Sequence, residues 1–178
     1  LVKKTRVIAM DTIGYGDSDK PPRPYSIEDY AKSTIMLLDA LGLEKVSIVG
    51  YHTGAYTGTE IAAAYPNRVD KLILDGAFNL DAEERQRLDI QWPEIVLKED
   101  GSHLEKEWKT CLNLGDLRLA HQRMLDVLKT GETMRYGWWA VMKYPQDERL
   151  PLIQSPTLLI WGLKDLQLVD SMGMRASE

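Results

Sequence analysis

Apolar and polar positions follow two periods along this chain, and the places where one gives way to the other outline its elements. Compact apolar runs stand at Arg6-Val7-Ile8-Ala9-Met10-Asp11, Lys45-Val46-Ser47-Ile48-Val49-Gly50, Lys71-Leu72-Ile73-Leu74-Asp75-Gly76 and Thr157-Leu158-Leu159-Ile160-Trp161-Gly162. Short runs of this kind, rich in Val, Ile and Leu and closed by Gly or Asp, predict buried strands of a parallel sheet. Between the first two, Ile27, Tyr30, Ala31, Ile35, Leu38 and Leu41 recur at helical spacing, which predicts an amphipathic helix. Ser26-Ile27-Glu28-Asp29 supplies its capping start and Gly42 its left-handed stop. A second, small-residue helix is predicted from Thr53 to Tyr65, where Pro66 ends it. Strand, helix and strand in this order predict right-handed crossovers. The strand ends then share one rim, where ligands bind in such sheets, and Asp11, His52 and Asp75 all fall on it.

From residue 78 to 150 the strand pattern stops and helix-like segments take over, the clearest running from Leu117 to Leu128 with Ala120, Met124 and Leu125 on the same side. A helical insertion between strands predicts a cap over the strand ends. The organisation expected is a first core part at residues 1–77, a helical cap at 78–150 and a continued core at 151–178. The fold class is α/β.

The stretch with chemical content is Gly50-Tyr51-His52-Thr53-Gly54, a tight turn between a strand and a helix. That is the setting of a nucleophile elbow, in which the central side chain is thrust forward on a strained turn. Gly50 and Gly54 are the positions the turn can least afford to enlarge, because strand and helix approach most closely there. Its centre is His52. A neutral imidazole attacks an activated acyl group without first losing a proton, or serves as a general base that aims a water. Either route calls for backbone N–H groups to hold the developing oxyanion. His52, His103 and His121 lie in separate segments without ligand-like spacing, so no metal site is expected. Cys111 has no activating context and is expected to be a packed thiol.

Composition narrows the partners. The chain has 178 residues, enough for one sizeable core, and a net charge of -5 gives no reason to expect nucleic acid or an anionic membrane. A single cysteine excludes an internal disulfide and fits a cytoplasmic protein. No apolar run is long enough to span a bilayer. A small molecule is the expected partner, and no cofactor is expected.

Taken together, Asp11-Thr12-Ile13-Gly14-Tyr15-Gly16-Asp17-Ser18, Val49-Gly50-Tyr51-His52-Thr53-Gly54-Ala55, Ala63-Ala64-Tyr65-Pro66-Asn67-Arg68-Val69 and Ser155-Pro156 through Gly162-Leu163-Lys164-Asp165 resemble, in order, the signature segments of the α/β-hydrolase family. The resemblance implies that the Thr53 N–H is an oxyanion donor and Asp165 the triad acid, with Asp75 as the alternative acid. Tyr15, Tyr51, His103 and Trp139 become candidate pocket lining. The family's oxyanion loop would precede Arg6 and its triad histidine would follow Glu178, so the chain is expected to be a piece of a longer protein. His52 departs from the serine, aspartate or cysteine that the family places at the elbow. The implied activity is hydrolysis of a small ester, thioester or related acyl bond in a pocket between cap and sheet. A catalytically inactive ligand-binding homologue, or a lyase or cofactor-free oxygenase on the same fold, stands beside it.

Overall fold

The structure, a computed structural model, describes residues 4–81, 83–86 and 96–162. In chain order its regular elements are α1 (Ile27–Ala40), β1 (Val46–Tyr51), α2 (Thr53–Ala64), β2 (Val69–Asp75), α3 (Ser102–Leu112), α4 (Leu117–Thr130), α5 (Tyr136–Lys143), α6 (Gln146–Arg149) and β3 (Thr157–Ile160). The described residues group into two compact units, one of residues 4–23 with 96–134, the other of residues 24–81 and 83–86 with 135–162. Every regular element described between β2 and β3 is helical, as the pattern predicts.

The second unit holds the sheet. Its three strands are parallel in the order β1-β2-β3. The register sets Val49 beside Ile73 and Leu158, and Tyr51 beside Asp75 and Ile160. α1 starts with the predicted capping box: the Ser26 hydroxyl accepts from the Asp29 N–H and the Asp29 carboxylate from the Ser26 N–H. Its apolar stripe of Ile27, Tyr30, Ala31, Ile35 and Leu38 is buried. Ala31, Ile35 and Leu38 join Ala55, Ile61 and Ala62 of α2 and Val69, Leu72 and Leu74 of β2 in one core. Each Ile, Leu and Val among them contributes about 1.5–3 kcal/mol when removed from water. Arg68, in the turn that leads into β2, donates to the carbonyls of Glu44 and Leu43 and pairs with Asp39 at 2.7 Å. The exit from α2 is thereby fastened to the connection between α1 and β1.

Helices cover one face of the sheet only among the described residues. On the other, Val49, Leu158 and Ile160 stay exposed, so the expectation of fully buried strands holds for Leu72 and Leu74 and fails for these. The expected strand Arg6–Asp11 is also corrected: its residues carry no strand assignment, and Val7 and Ile8 are exposed. Apolar content alone does not make a strand; the ladder needs a partner backbone, and none of the described strands pairs with this segment.

In the first unit the loop after Asp11 wraps around that carboxylate. Asp17 N–H donates to Asp11 Oδ2 at 2.9 Å, and a side chain on Gly16 would collide with the same carboxyl group. Lys129 of α4 binds Asp17 at 2.8 Å and holds its carboxyl below the usual range. α4 buries Ala120, Val127 and Thr130, whereas Leu117, Leu125 and Leu128, expected on the packed side, are exposed. Ala120 is thus buried as expected, but the buried side continues through Val127 and Thr130 rather than through the leucines.

α2 is buried on most sides, and a carboxylate lies in it. Glu60 accepts from Arg149 Nε and Nη2 at 2.8 and 3.0 Å and from the Tyr144 hydroxyl at 2.8 Å. Gln146 reaches Thr59 one residue earlier at 3.3 Å. This bidentate, charge-assisted contact ties α2 to α6. Glu60→Ala leaves a half-buried guanidinium and a buried phenol without their acceptor, and is expected to lower unfolding free energy by about 2 kcal/mol; a loss below about 0.5 kcal/mol in urea titrations would show the network to be peripheral.

Alkaline stability follows from the same region. Burial, with the Glu60 contact added, pushes the Tyr144 phenol above its ordinary value, and burial alone does so for Tyr56, which donates to the Phe78 carbonyl at 2.9 Å. A raised folded pKa means that these phenols stabilise fully below the unfolded value of about 10 and lose that contribution as pH rises beyond it. Unfolding free energy measured from pH 8 to 11 is expected to fall above pH 10, and Tyr56→Phe to flatten the decline. A slope unchanged by Tyr56→Phe would remove Tyr56 from the account.

Candidate active site

A tight strand-to-helix turn stands at His52. His52 sits between β1 and α2 with φ 47° and ψ -117°, and among the described residues no other non-glycine has a positive φ. That region is sterically disfavoured for any residue with a Cβ, by about 1–3 kcal/mol. Its cause is visible one residue pair away. A Cβ on Gly50 would stand 2.2 Å from the Gly54 carbonyl oxygen and 2.8 Å from Ala55 Cα, so strand and helix meet with only a glycine between them. The chain must reverse within one residue, and His52 takes that conformation. Its N–H donates to the Asp75 carbonyl at 2.8 Å, while its own carbonyl accepts from the Ala55 N–H at 2.7 Å. Gly54 differs from expectation: among the described residues a side chain there would meet open space. Its carbonyl, not its missing side chain, is the crowded group.

Around His52 the second unit supplies several groups. The Tyr51 ring meets the imidazole edge-on, centroids 4.3 Å apart at 64°. Thr53 opens α2, so its N–H belongs to those a helix leaves without an internal acceptor, and the positive end of the helix dipole lies at the same point. Both suit a developing oxyanion. Asp75 ends β2 directly across from Tyr51, which puts the alternative acid at the elbow's edge. Gly76, seen in sequence only as the end of a strand pattern, lies against the His52 ring: a Cβ on it would be 3.1 Å from Cδ2 and 3.3 Å from Nε2.

The other expected site residues are dispersed. Asp165 lies outside the described residues. Tyr15 belongs to the first unit, where its hydroxyl donates to the Met134 carbonyl at 3.0 Å. His103 is in the same unit near the start of α3, and its Nδ1 accepts from the Lys98 N–H at 3.2 Å. Trp139 is in the second unit on α5, stacked at a tilt on Tyr136. Asp11 belongs to the first unit, where its carboxylate accepts from the Asp17 N–H. Cys111 is buried, and burial pushes its thiol up, away from reactivity. A surface concavity of about 420 Å³ along α3 is lined by Ser102, Glu105, Lys106, Lys109, Thr110 and Asn113 and contains none of the expected site residues. Among the described residues no three His, Cys, Asp or Glu side chains cluster as a metal site, and no helix is long and apolar enough to cross a membrane.

A parallel sheet whose first described strand runs through a strained one-residue elbow into a buried helix defines the class. The chain belongs to the alpha/beta hydrolase fold family, whose profile matches residues 1–173. It is 42% identical over 199 aligned positions to an uncharacterized protein of Mycobacterium tuberculosis, covering 94% of this chain and 56% of that one. Over a shorter stretch of 93 positions it is 34% identical to the 2-hydroxy-6-oxo-2,4-heptadienoate hydrolase of Pseudomonas putida, covering 52% of this chain and 34% of the enzyme. Among solved structures it resembles a meta-cleavage product hydrolase from Pseudomonas fluorescens, with a TM-score of 0.69, 27% identity, and 98% and 68% of the two chains covered. The chain thus spans little more than half the length of the mycobacterial relative it matches.

The strain at the elbow is measurable. His52→Gly removes the Cβ that the backbone disfavours, and after the greater flexibility of glycine in the unfolded chain is subtracted it is expected to stabilise the protein by about 1 kcal/mol. Thermal or urea unfolding of the two proteins checks this. A destabilised glycine variant would mean that the imidazole's contacts with Tyr51 and Gly76 outweigh the strain.

Proposed function

We propose that this protein is a hydrolase that opens a small ester, thioester or related acyl bond, with His52 as the reacting side chain. The observation that carries this reading is the backbone of His52, a non-glycine residue at φ 47° on a strand-to-helix turn closed by the Gly50 contact. The hydrolase names of the Pseudomonas relatives support the reaction class.

In the base route, the neutral imidazole takes a proton from a water as its oxygen bonds to the acyl carbon. The carbonyl π electrons move to oxygen, where the Thr53 N–H and the start of α2 stabilise the charge. Collapse expels the alkoxide or thiolate, which receives the proton from the imidazolium, leaving acid and alcohol or thiol. In the nucleophilic route the imidazole nitrogen bonds to the acyl carbon first; the acyl–oxygen or acyl–sulfur bond breaks, the alkoxide or thiolate leaves with the proton given up by the acylated ring, and water then adds to the acyl-imidazole, whose C–N bond breaks to release the acid and restore the neutral imidazole. Asp165, or Asp75 in its place, would stabilise the imidazolium in both.

Turnover of a panel of short-chain aryl esters by the full-length protein, run beside His52→Ala and His52→Ser, tests the proposal. The parent is expected to turn over at least one ester, and His52→Ala to lose about 10²–10⁴-fold in kcat. An inert parent with a gain of activity in His52→Ser would overturn it, leaving ligand binding or a non-hydrolytic reaction on this fold.

A further inference from the structure

We infer that Gly76 is the positioning residue for the His52 imidazole, its bare α-carbon forming the seat against which the Cδ2–Nε2 edge of the ring rests. This rests on the reading of His52 as the reacting side chain, and it adds a residue that the elbow pattern does not contain.

Three observations converge on the seat. A Cβ on Gly76 would lie 3.1 Å from His52 Cδ2, 3.3 Å from Nε2 and 3.4 Å from Phe78 Cε2, so the space beside Gly76 is filled by the ring and by a buried phenylalanine. Gly76 cannot swing aside: it has φ 71°, and its N–H donates to the Ile160 carbonyl at 2.9 Å, which locks it to the end of β3. His52 is equally fixed at its backbone, through its N–H on the Asp75 carbonyl at 2.8 Å. With both backbones held, an added methyl group can be relieved only by rotating the imidazole or by shifting the ring a few tenths of an ångström. Tyr51, 4.3 Å away at its other contact, restricts that movement. The orientation of the ring is therefore set by the residue that follows β2 as well as by the turn that carries it.

The test combines a double-mutant cycle with a view of the ring itself. Gly76→Ala is made in the parent and in His52→Ser, whose side chain stops short of the seat. Gly76→Asn, which tolerates positive φ while still adding a Cβ, is made in both backgrounds in case the alanine variant fails to fold. The melting temperature is expected to fall further in the parent than in His52→Ser, with the His52 imidazole nitrogen and Cε1–H signals moved in the NMR spectrum. The kcat for a reactive ester is expected to drop on the order of tenfold or more with KM little changed, as misplacement of a reacting group does. Equal losses of melting temperature in both backgrounds, with unmoved His52 signals, would overturn the inference. Coupling and moved signals in a protein that turns over no ester would uphold the seat while removing the hydrolase reading.

Discussion

The closest approach of β1 to α2 is the constraint on which the rest of the second unit depends. A glycine at position 50 lets the strand pass directly beneath the carbonyl of Gly54, and no other residue fits that gap. The reversal at His52 follows from it. So does the burial of α2, because a helix starting so close to the sheet lies flat on it. Gly58 continues the approach one turn later, where a Cβ would stand 3.2–3.3 Å from Leu74 and Leu72. With no room on the sheet side, the polar residues of α2 are satisfied elsewhere: Thr59 by Gln146, Glu60 by Tyr144 and Arg149. The strain at one residue is held by packing distributed over the whole helix, which is how a disfavoured conformation persists.

Local signals carried most of the architecture. The capping box at Ser26, the left-handed Gly42, the stop at Pro66 and the Val- and Leu-rich runs at 46–51 and 69–75 each state a preference that their neighbours decide, and the structure follows them. Preferences needing a distant partner were not legible in the same way. Arg6–Asp11 has the composition of a strand but no ladder partner among the described strands, and composition does not say whether one is present. For α4, periodicity established a helix and the burial of Ala120, yet Val127 and Thr130, not Leu117, Leu125 and Leu128, are buried with it. Periodicity does not choose between neighbouring faces of one helix.

The site divides along the same line. The strand-to-helix turn at His52 was readable because strand, glycine, turn and helix are contiguous, and the place of Asp75 because it closes a strand beside that turn. Gly76 and Glu60 were not readable, since each matters through a residue far along the chain or across the sheet. A glutamate within Gly58-Thr59-Glu60-Ile61-Ala62, a segment otherwise suited to burial, was the available signal for a buried partner. An Asp-Gly pair ending a strand reads as a turn, and only the His52 ring lying on Gly76 gives that glycine a second purpose.

A histidine at this elbow is better understood as retained for its side chain than tolerated by the fold. The backbone conformation is one that glycine adopts without penalty, whereas any Cβ raises the energy by about 1–3 kcal/mol, a substantial part of a stability that typically totals 5–15 kcal/mol. The turn's backbone hydrogen bonds are made by the His52 N–H and carbonyl, groups that any residue but proline supplies. The ring is nevertheless accommodated by its neighbours, edge-on to Tyr51 and against a position where even one added carbon would be too close. A strained backbone with an empty pocket would point to a residue left over from other chemistry. Strain combined with a fitted seat indicates that orientation of the imidazole is what the surrounding residues maintain.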